Sequence, residues 1–226
     1  MDTAIYIITV PNIQDRLDYL IPALNNYGMS NIQIRDGCIE LSDEDLNKAT
    51  DDVVLEEERA SVTSSDYVST GSLKTKKNML SSALSHINIW NEIAVGEDMY
   101  AIILADSAVL DNNFSDIWDK LKLSFPTDLD VGYIYSGCSQ TIDMFNIDVS
   151  PDTFWYNIEK KFGRTQFSYI ISKEFCIRLV QDIYPIALPI DWEMNYLQNK
   201  LNANVYWTSI DPFFEGSGTK YMNFLK

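Results

Sequence analysis

Short continuous apolar runs and longer stretches of helical periodicity follow one another along most of the chain. Residues 4–10 (AIYIITV) and 31–35 (NIQIR) have the pattern of strands buried on both faces. Between them apolar residues recur at helical spacing, with Asn12 as a candidate N-cap and Gly28 as a stop, and Pro22 predicts a kink or a restart. This order of strand, helix and strand predicts a right-handed βαβ unit.

The same alternation continues towards the C-terminus. Two amphipathic helices are predicted, one over residues 80–93 that ends at Gly96 and one over 173–183. Further strands are predicted at 100–104, 131–135, 167–171 and 205–207, followed by a loop at 211–218. Strands that alternate with helices predict an α/β fold, here as one domain spanning 1–226 with a mixed, mainly parallel sheet and helices on both faces.

Residues 41–72 break this alternation. The segment carries three acidic runs and then a stretch rich in serine and threonine. Its composition predicts a mobile acidic loop, and a lid over a substrate is the alternative interpretation.

Composition excludes several classes of partner. The formal charge of −16 repels polyanions, so nucleic acid and anionic membrane surfaces are poor partners, and a phosphate ligand would need a cation, an Arg or Lys, or a helix start. No apolar run reaches the length of a membrane span. Three widely spaced cysteines argue against a disulfide framework and a zinc site. Together with the lack of a membrane span, they predict a soluble protein of the cytoplasm or another reducing compartment.

Candidate chemistry therefore rests on carboxylates. The chain has neither of the common glycine-rich phosphate loops, and His86 is its only histidine, which excludes multi-histidine metal sites. Asp106 follows the strand predicted at 100–104, at the carboxyl end where α/β sheets bind ligands. It is either a ligand to a metal or ribose or a cap of the strand end.

Several motifs in order resemble glycosyltransferase family 25. They are IYIITVPNIQDR, ALSHINIW, YAIILADSAVL, GRTQFSYIISKEFCIRL, LPIDWEMNY and DPFFEGSG, and they extend from about residue 4 to residue 218. The resemblance implies a GT-A-type fold, a UDP-sugar donor and hexose transfer to a hydroxyl on a glycan or protein acceptor. It also implies Mn²⁺ or Mg²⁺ to neutralise the diphosphate leaving group.

The resemblance and the motifs together suggest roles for individual residues. The donor-binding candidates are Val10, Pro11, Arg16, His86, Asp106 and Ser107, with Asp106 also a metal ligand. Asp191 and Glu193 are candidate catalytic bases, because a carboxylate can take the proton of the acceptor hydroxyl. Four of these residues have ordinary structural alternatives. Arg16 is alternatively an exposed arginine and His86 a histidine packed within a helix. Asp106 is alternatively a cap of the strand end and Asp191 the N-cap of a helix.

One motif departs from the family pattern. The family strand ends Glu-Asp-Asp, whereas this chain reads Ala105-Asp106-Ser107. Fewer carboxylates predict weaker metal binding that depends on the nucleotide. The alternative function is a non-catalytic scaffold or nucleotide-binding protein that keeps the fold.

Overall fold

A seven-stranded sheet forms the centre of the protein. The computed structural model describes residues 3–10, 14–37, 39–63, 77–135, 142, 147–148, 150–158 and 166–216. The strands are β1 (Ala4–Thr9), β2 (Ile32–Asp36), β3 (Tyr100–Ala105), β4 (Ala108–Leu110), β5 (Val131–Tyr133), β6 (Trp155–Asn157), β7 (Ser168–Ser172), β8 (Val205–Thr208) and β9 (Phe213–Glu215). The helices are α1 (Gln14–Asn26), α2 (Asp43–Asn47), α3 (Val53–Thr63), α4 (Lys77–Val95), α5 (Phe114–Leu123), α6 (Lys173–Asp182) and α7 (Ile190–Lys200).

The large sheet is mixed, and its strand order is β2-β1-β3-β7-β5-β8-β6. The predicted βαβ unit is confirmed, since β1 pairs in parallel with β2 and also with β3. Strand β7 runs antiparallel between β3 and β5, and β8 is parallel to β5 and antiparallel to β6. Within the described strands, parallel and antiparallel pairings of this sheet are therefore equal in number, so the expectation of a mainly parallel sheet is only partly met.

Helices cover both faces of the sheet, as the α/β prediction requires. Successive residues of β3 point to opposite faces, so that Ile103 packs in one core with α4, α6 and α7 while Ile102 packs in the other with α1 and α5. Each core has a large aromatic side chain that is fully buried, Trp90 in the first and Phe114 in the second. No helix within the described residues combines the length and apolar character that crossing a membrane requires.

Helix α1 continues through Pro22, where the sequence predicts a kink or a restart. Its apolar face, formed by Leu17, Leu20 and Leu24, is buried against the sheet. This packing offsets the hydrogen bond that proline cannot make. The helix ends as predicted near Gly28, whose φ of 75° lies in the left-handed region that glycine tolerates.

The mobile acidic loop predicted at 41–72 is corrected by two helices, α2 of 5 residues and α3 of 11 residues. Helix α2 begins at a capping box in which Ser42 and Asp45 each satisfy the other's backbone amide. Helix α3 follows, and Ala60 packs against Ala187 and Leu188. The acidic residues of α3 obscured, in the sequence, the apolar positions that pack against the rest of the protein. Residues 64–72 lie outside the described residues.

The predicted C-terminal loop contains a short strand. Strand β9 pairs antiparallel with β4, and the two form a separate two-stranded sheet. Strand β4 begins two residues after Asp106. The Gly216 amide donates to the Ser107 carbonyl at 2.7 Å. A Cβ at Gly216 would lie 2.6 Å from a methyl group of Val109, so a glycine permits this close approach. Strand β9 is thereby held next to the end of β3.

Candidate functional site

Several of the predicted site residues, among them Arg16, Asp106 and Asp191, lie at one edge of the sheet, here called the carboxyl edge because β1, β2 and β3 end there. Strand β7 begins at this edge, since it runs antiparallel to β3 with Leu104 opposite Ser168. Strands β5 and β8 end there for the same reason of direction. The carboxyl edge is where open α/β sheets bind their ligands.

Asp106 lies at this edge, immediately after β3, and is held on several sides. Its Oδ2 accepts hydrogen bonds from the Thr9 hydroxyl at 2.9 Å and the Val10 amide at 3.2 Å. Its Oδ1 is 2.9 Å from Nη1 of Arg16. The Asp106 amide donates to the carbonyl of Ile8. These contacts join the end of β3, the end of β1 and the first turn of α1, as expected for a site between these segments.

The donor set around Asp106 does not fit a divalent cation. A guanidinium already contacts one carboxylate oxygen, and two hydrogen-bond donors hold the other. Mn²⁺ or Mg²⁺ would have to approach this carboxylate beside the positive charge of Arg16, and such ions prefer several oxygen ligands. Within the described ranges no three His, Cys, Asp or Glu side chains are placed to hold a metal ion.

The other predicted donor-binding positions are partly described. Val10 is exposed at the end of β1, and Ser107 is half-buried directly after Asp106. Pro11 lies outside the described residues. The lining of the predicted pocket between Val10 and Asp106 is therefore described only on its Arg16 and Asp106 sides.

Asp191 reaches the same edge from the other side of β3. It lies in the first turn of α7, and its Oδ1 accepts the Gln166 amide at 2.9 Å. The next residue, Phe167, accepts a hydrogen bond from the Ala105 amide at 2.8 Å, so the backbone connects Asp191 to the residue before Asp106. Proline 189, and not Asp191, is the N-cap of α7.

Asp191 remains in contact with solvent although protein surrounds much of its carboxylate. The residue is exposed, yet desolvation raises the pKa of its carboxyl, opposed by the hydrogen bond from the Gln166 amide. A carboxyl group with a raised pKa that still reaches solvent is a candidate for a general base.

Glu193 is placed differently, with 0% of its surface exposed. Its Oε1 pairs with Arg59, and its Oε2 accepts the amides of Ala187 and Leu188. Burial raises the pKa of Glu193 to about 7, against the opposing effect of the Arg59 guanidinium. With both oxygens occupied, Glu193 fixes the chain that enters α7 and thereby positions Asp191. This geometry favours a positioning role over contact with an acceptor.

His86 is buried beneath the sheet surface in α4. Its Nδ1 is 2.8 Å from the Tyr169 hydroxyl, which accepts a hydrogen bond from Nε1 of Trp90. The hydroxyl is thus left to donate its own proton to a neutral imidazole. Burial lowers the pKa of His86 to about 3. The structure places His86 in the core beside β7, away from the Arg16 and Asp106 contacts.

Acid should destabilise the protein through His86. An unfolded histidine takes up a proton near its ordinary pKa of 6.5, whereas folded His86 does so only near 3. The unfolded state therefore binds more protons between these values, and stability is lost as pH falls through that window. At pH 5 the loss attributable to His86 is about 2 kcal/mol.

Urea unfolding of the wild type and of His86→Gln between pH 7.5 and 5 measures this contribution by difference. The opposite effects of Glu193 and Asp191, whose pKa values are raised, are common to both proteins and cancel. The variant should show the shallower decline. Parallel pH profiles for the two proteins would contradict a neutral buried histidine.

Two residues of the site lacked a clear signal in the sequence. Thr9 reads as one more residue of a buried strand, although its hydroxyl holds Asp106. Gln166 precedes the strand β7 and contacts Asp191. A polar residue at the boundary of an apolar run was the available signal. The side-chain oxygens of Gln166, Ser168 and Gln198 are also buried without a hydrogen-bond partner, which polar atoms in folded proteins rarely are.

A cavity of about 70 Å³ lies at the opposite edge of the sheet, by the amino ends of β1 and β3. Its walls are mainly aromatic and aliphatic, and include Tyr100, Trp118, Phe125 and Trp155. The polar atoms of two walls are already paired, since Nε1 of Trp155 donates to the carbonyl of Leu121 and the Tyr100 hydroxyl to that of Thr127. This cavity is distinct from the carboxyl edge and from the predicted donor site.

Comparison with known proteins adds no assignment. No protein-family model matches the chain, and no curated protein matches it significantly.

Proposed function

We propose that the chain binds a UDP-sugar at the carboxyl edge and transfers its hexose to a hydroxyl on a glycan or a glycosylated protein. One observation carries the proposal: Arg16, Asp106 and Asp191 are assembled at this edge through the contacts of Ala105 and Gln166. Arg16 lies in the first turn of α1, and Asp191, in the first turn of α7, lies across β3 from it. The resemblance to glycosyltransferase family 25 supplies the substrate class.

In this proposal Asp191 is the base and Arg16 contacts the diphosphate. The acceptor hydroxyl attacks the anomeric carbon, its proton passes to the Asp191 carboxylate, and the bond from that carbon to the diphosphate oxygen breaks. UDP leaves with the bonding electron pair.

The second candidate is a non-catalytic scaffold that keeps nucleotide affinity. The occupied oxygens of Asp106 favour it, because Asp106 is the one carboxylate retained where the family has Glu-Asp-Asp, and it already pairs with Arg16. The acidic charge of −16 argues against a nucleic-acid partner for either candidate.

A UDP-release assay with a panel of UDP-sugars, each with and without Mn²⁺ and with simple glycoside acceptors, separates the two candidates. A transferase should release UDP from one donor in preference to others, faster when an acceptor is present. Binding of a UDP-sugar without release would support the scaffold. Absence of both release and binding would contradict both candidates.

A further inference from the structure

Two arginines near the carboxyl edge, Arg16 in the first turn of α1 and Arg35 near the end of β2, are used in different ways. Arg35 in β2 has Nε, Nη1 and Nη2 all engaged, mainly by Glu92. Arg16 donates from Nη1 to Asp106, and within the described part of the chain its Nε and Nη2 have no partner. Its side chain is 30% exposed, against 7% for that of Asp106. Arg16 therefore keeps donors that face solvent at the carboxyl edge.

Asp106 holds Arg16 in place and is itself fixed. The Thr9 hydroxyl and Val10 amide occupy its second oxygen, so the carboxylate cannot turn away from the arginine without losing both bonds. A guanidinium held at one corner presents its remaining N–H groups in a set direction, which suits two oxygens of a phosphate. Asp106 thus acts as a positioning residue for Arg16.

A phosphate ligand needs local positive charge in this protein. The net charge of −16 makes the surrounding potential unfavourable for a diphosphate, and the Asp106 environment does not fit a divalent cation. Arg16 lies in the first turn of α1, where the helix dipole also favours an anion. The free N–H groups of Arg16 and the start of α1 are what the protein offers a diphosphate at this edge.

We propose that the guanidinium of Arg16, held by Asp106, takes the place of a divalent cation and binds the diphosphate of the nucleotide, so that binding needs no metal. This inference rests on the proposed function, because it assigns the diphosphate contact within the same site. It differs from that function in a measurable property, the effect of a chelator on nucleotide affinity.

Titration calorimetry with UDP, in excess EDTA and again with Mn²⁺, tests the proposal. The dissociation constant should agree within about twofold between the two conditions. Arg16→Gln should weaken UDP binding by about 10- to 100-fold in both, which is the effect of losing a hydrogen-bonded charge. The UDP affinity of Arg16→Lys should lie between those of the wild type and Arg16→Gln, because lysine keeps the charge and lacks the planar guanidinium.

Arg178→Gln is the matched control. Arg178 pairs with Asp130, its side chain is 33% exposed, and the pair lies at the amino end of β5, on the edge away from the proposed site. This variant should bind UDP as the wild type does, and melting temperatures of all variants show whether they are folded. If Arg16→Gln does not fold, Arg16→Lys with the chelator comparison decides.

The outcomes separate this proposal from the proposed function. UDP binding at least tenfold tighter with Mn²⁺ than with EDTA, or unchanged in folded Arg16→Gln, would overturn the role of Arg16 and leave nucleotide binding intact. No binding of UDP or UDP-sugars in any condition would overturn both.

Discussion

Asp191→Asn is expected to lower kcat for sugar transfer by about 10²- to 10⁴-fold, the contribution typical of a positioned general base. Asparagine can still accept a hydrogen bond from the Gln166 amide, so the fold around position 191 should be kept. It cannot take up the acceptor proton. UDP-sugar affinity should change little, because Asp191 is assigned to the acceptor side.

The pH dependence of kcat provides an independent check on Asp191. Desolvation raises the pKa of its carboxyl, so the wild-type rate should fall with decreasing pH at a higher pH than for an ordinary aspartate. Asp116→Asn is a matched control, since Asp116 is exposed in the first turn of α5. An Asp191→Asn enzyme within threefold of wild-type kcat would exclude Asp191 as the base.

Arg59→Met is expected to cost about 3 to 5 kcal/mol of unfolding free energy at pH 8, because it leaves the buried carboxylate of Glu193 without its counter-charge. Arg59 is 4% exposed, donates to the carbonyl of Pro185 at 2.8 Å and lies 4.9 Å above the ring of Tyr196. The contacts tie α3 to α7, so α3 should be the first element to loosen. Urea unfolding measures the loss.

Lower pH should relieve part of this loss. Without Arg59 the pKa of Glu193 should rise further above its unfolded value, and the folded carboxyl then binds a proton that the unfolded chain does not. Stability of the variant relative to wild type should therefore improve from pH 8 to pH 5.5. Lys200→Met, which breaks an exposed pair with Asp182, should cost less than about 1 kcal/mol at either pH.

The double variant Arg59→Met/Glu193→Gln shows whether the charge is responsible. Removing both charges should recover part of the stability lost in Arg59→Met. A double variant that is less stable than the single one would show that packing of Arg59, and not its charge, accounts for the loss.

The part of the candidate site that lies at strand ends was predictable from the sequence. Asp106 ends a clear apolar run, and Arg16 belongs to the helix that follows the first strand, so both were expected at one edge. The position of Asp191 at the same edge depends on its contact with Gln166, which is 25 residues away in sequence. Glu193 and Asp191 look equivalent as neighbouring acids, yet one is buried against Arg59 and the other faces solvent.

Local patterns predicted every strand of the large sheet except β6, the helices α1, α4 and α6, and the first βαβ unit, because hydrophobic periodicity and caps act over a few residues. The tertiary structure alone decided that β7 runs antiparallel between β3 and β5, that α3 forms within an acidic segment, and that Arg59 meets Glu193 across 134 residues. Such choices depend on which surfaces bury one another and which charges are paired on burial. Those energies belong to residues distant in the chain, so no local window of the sequence contains them.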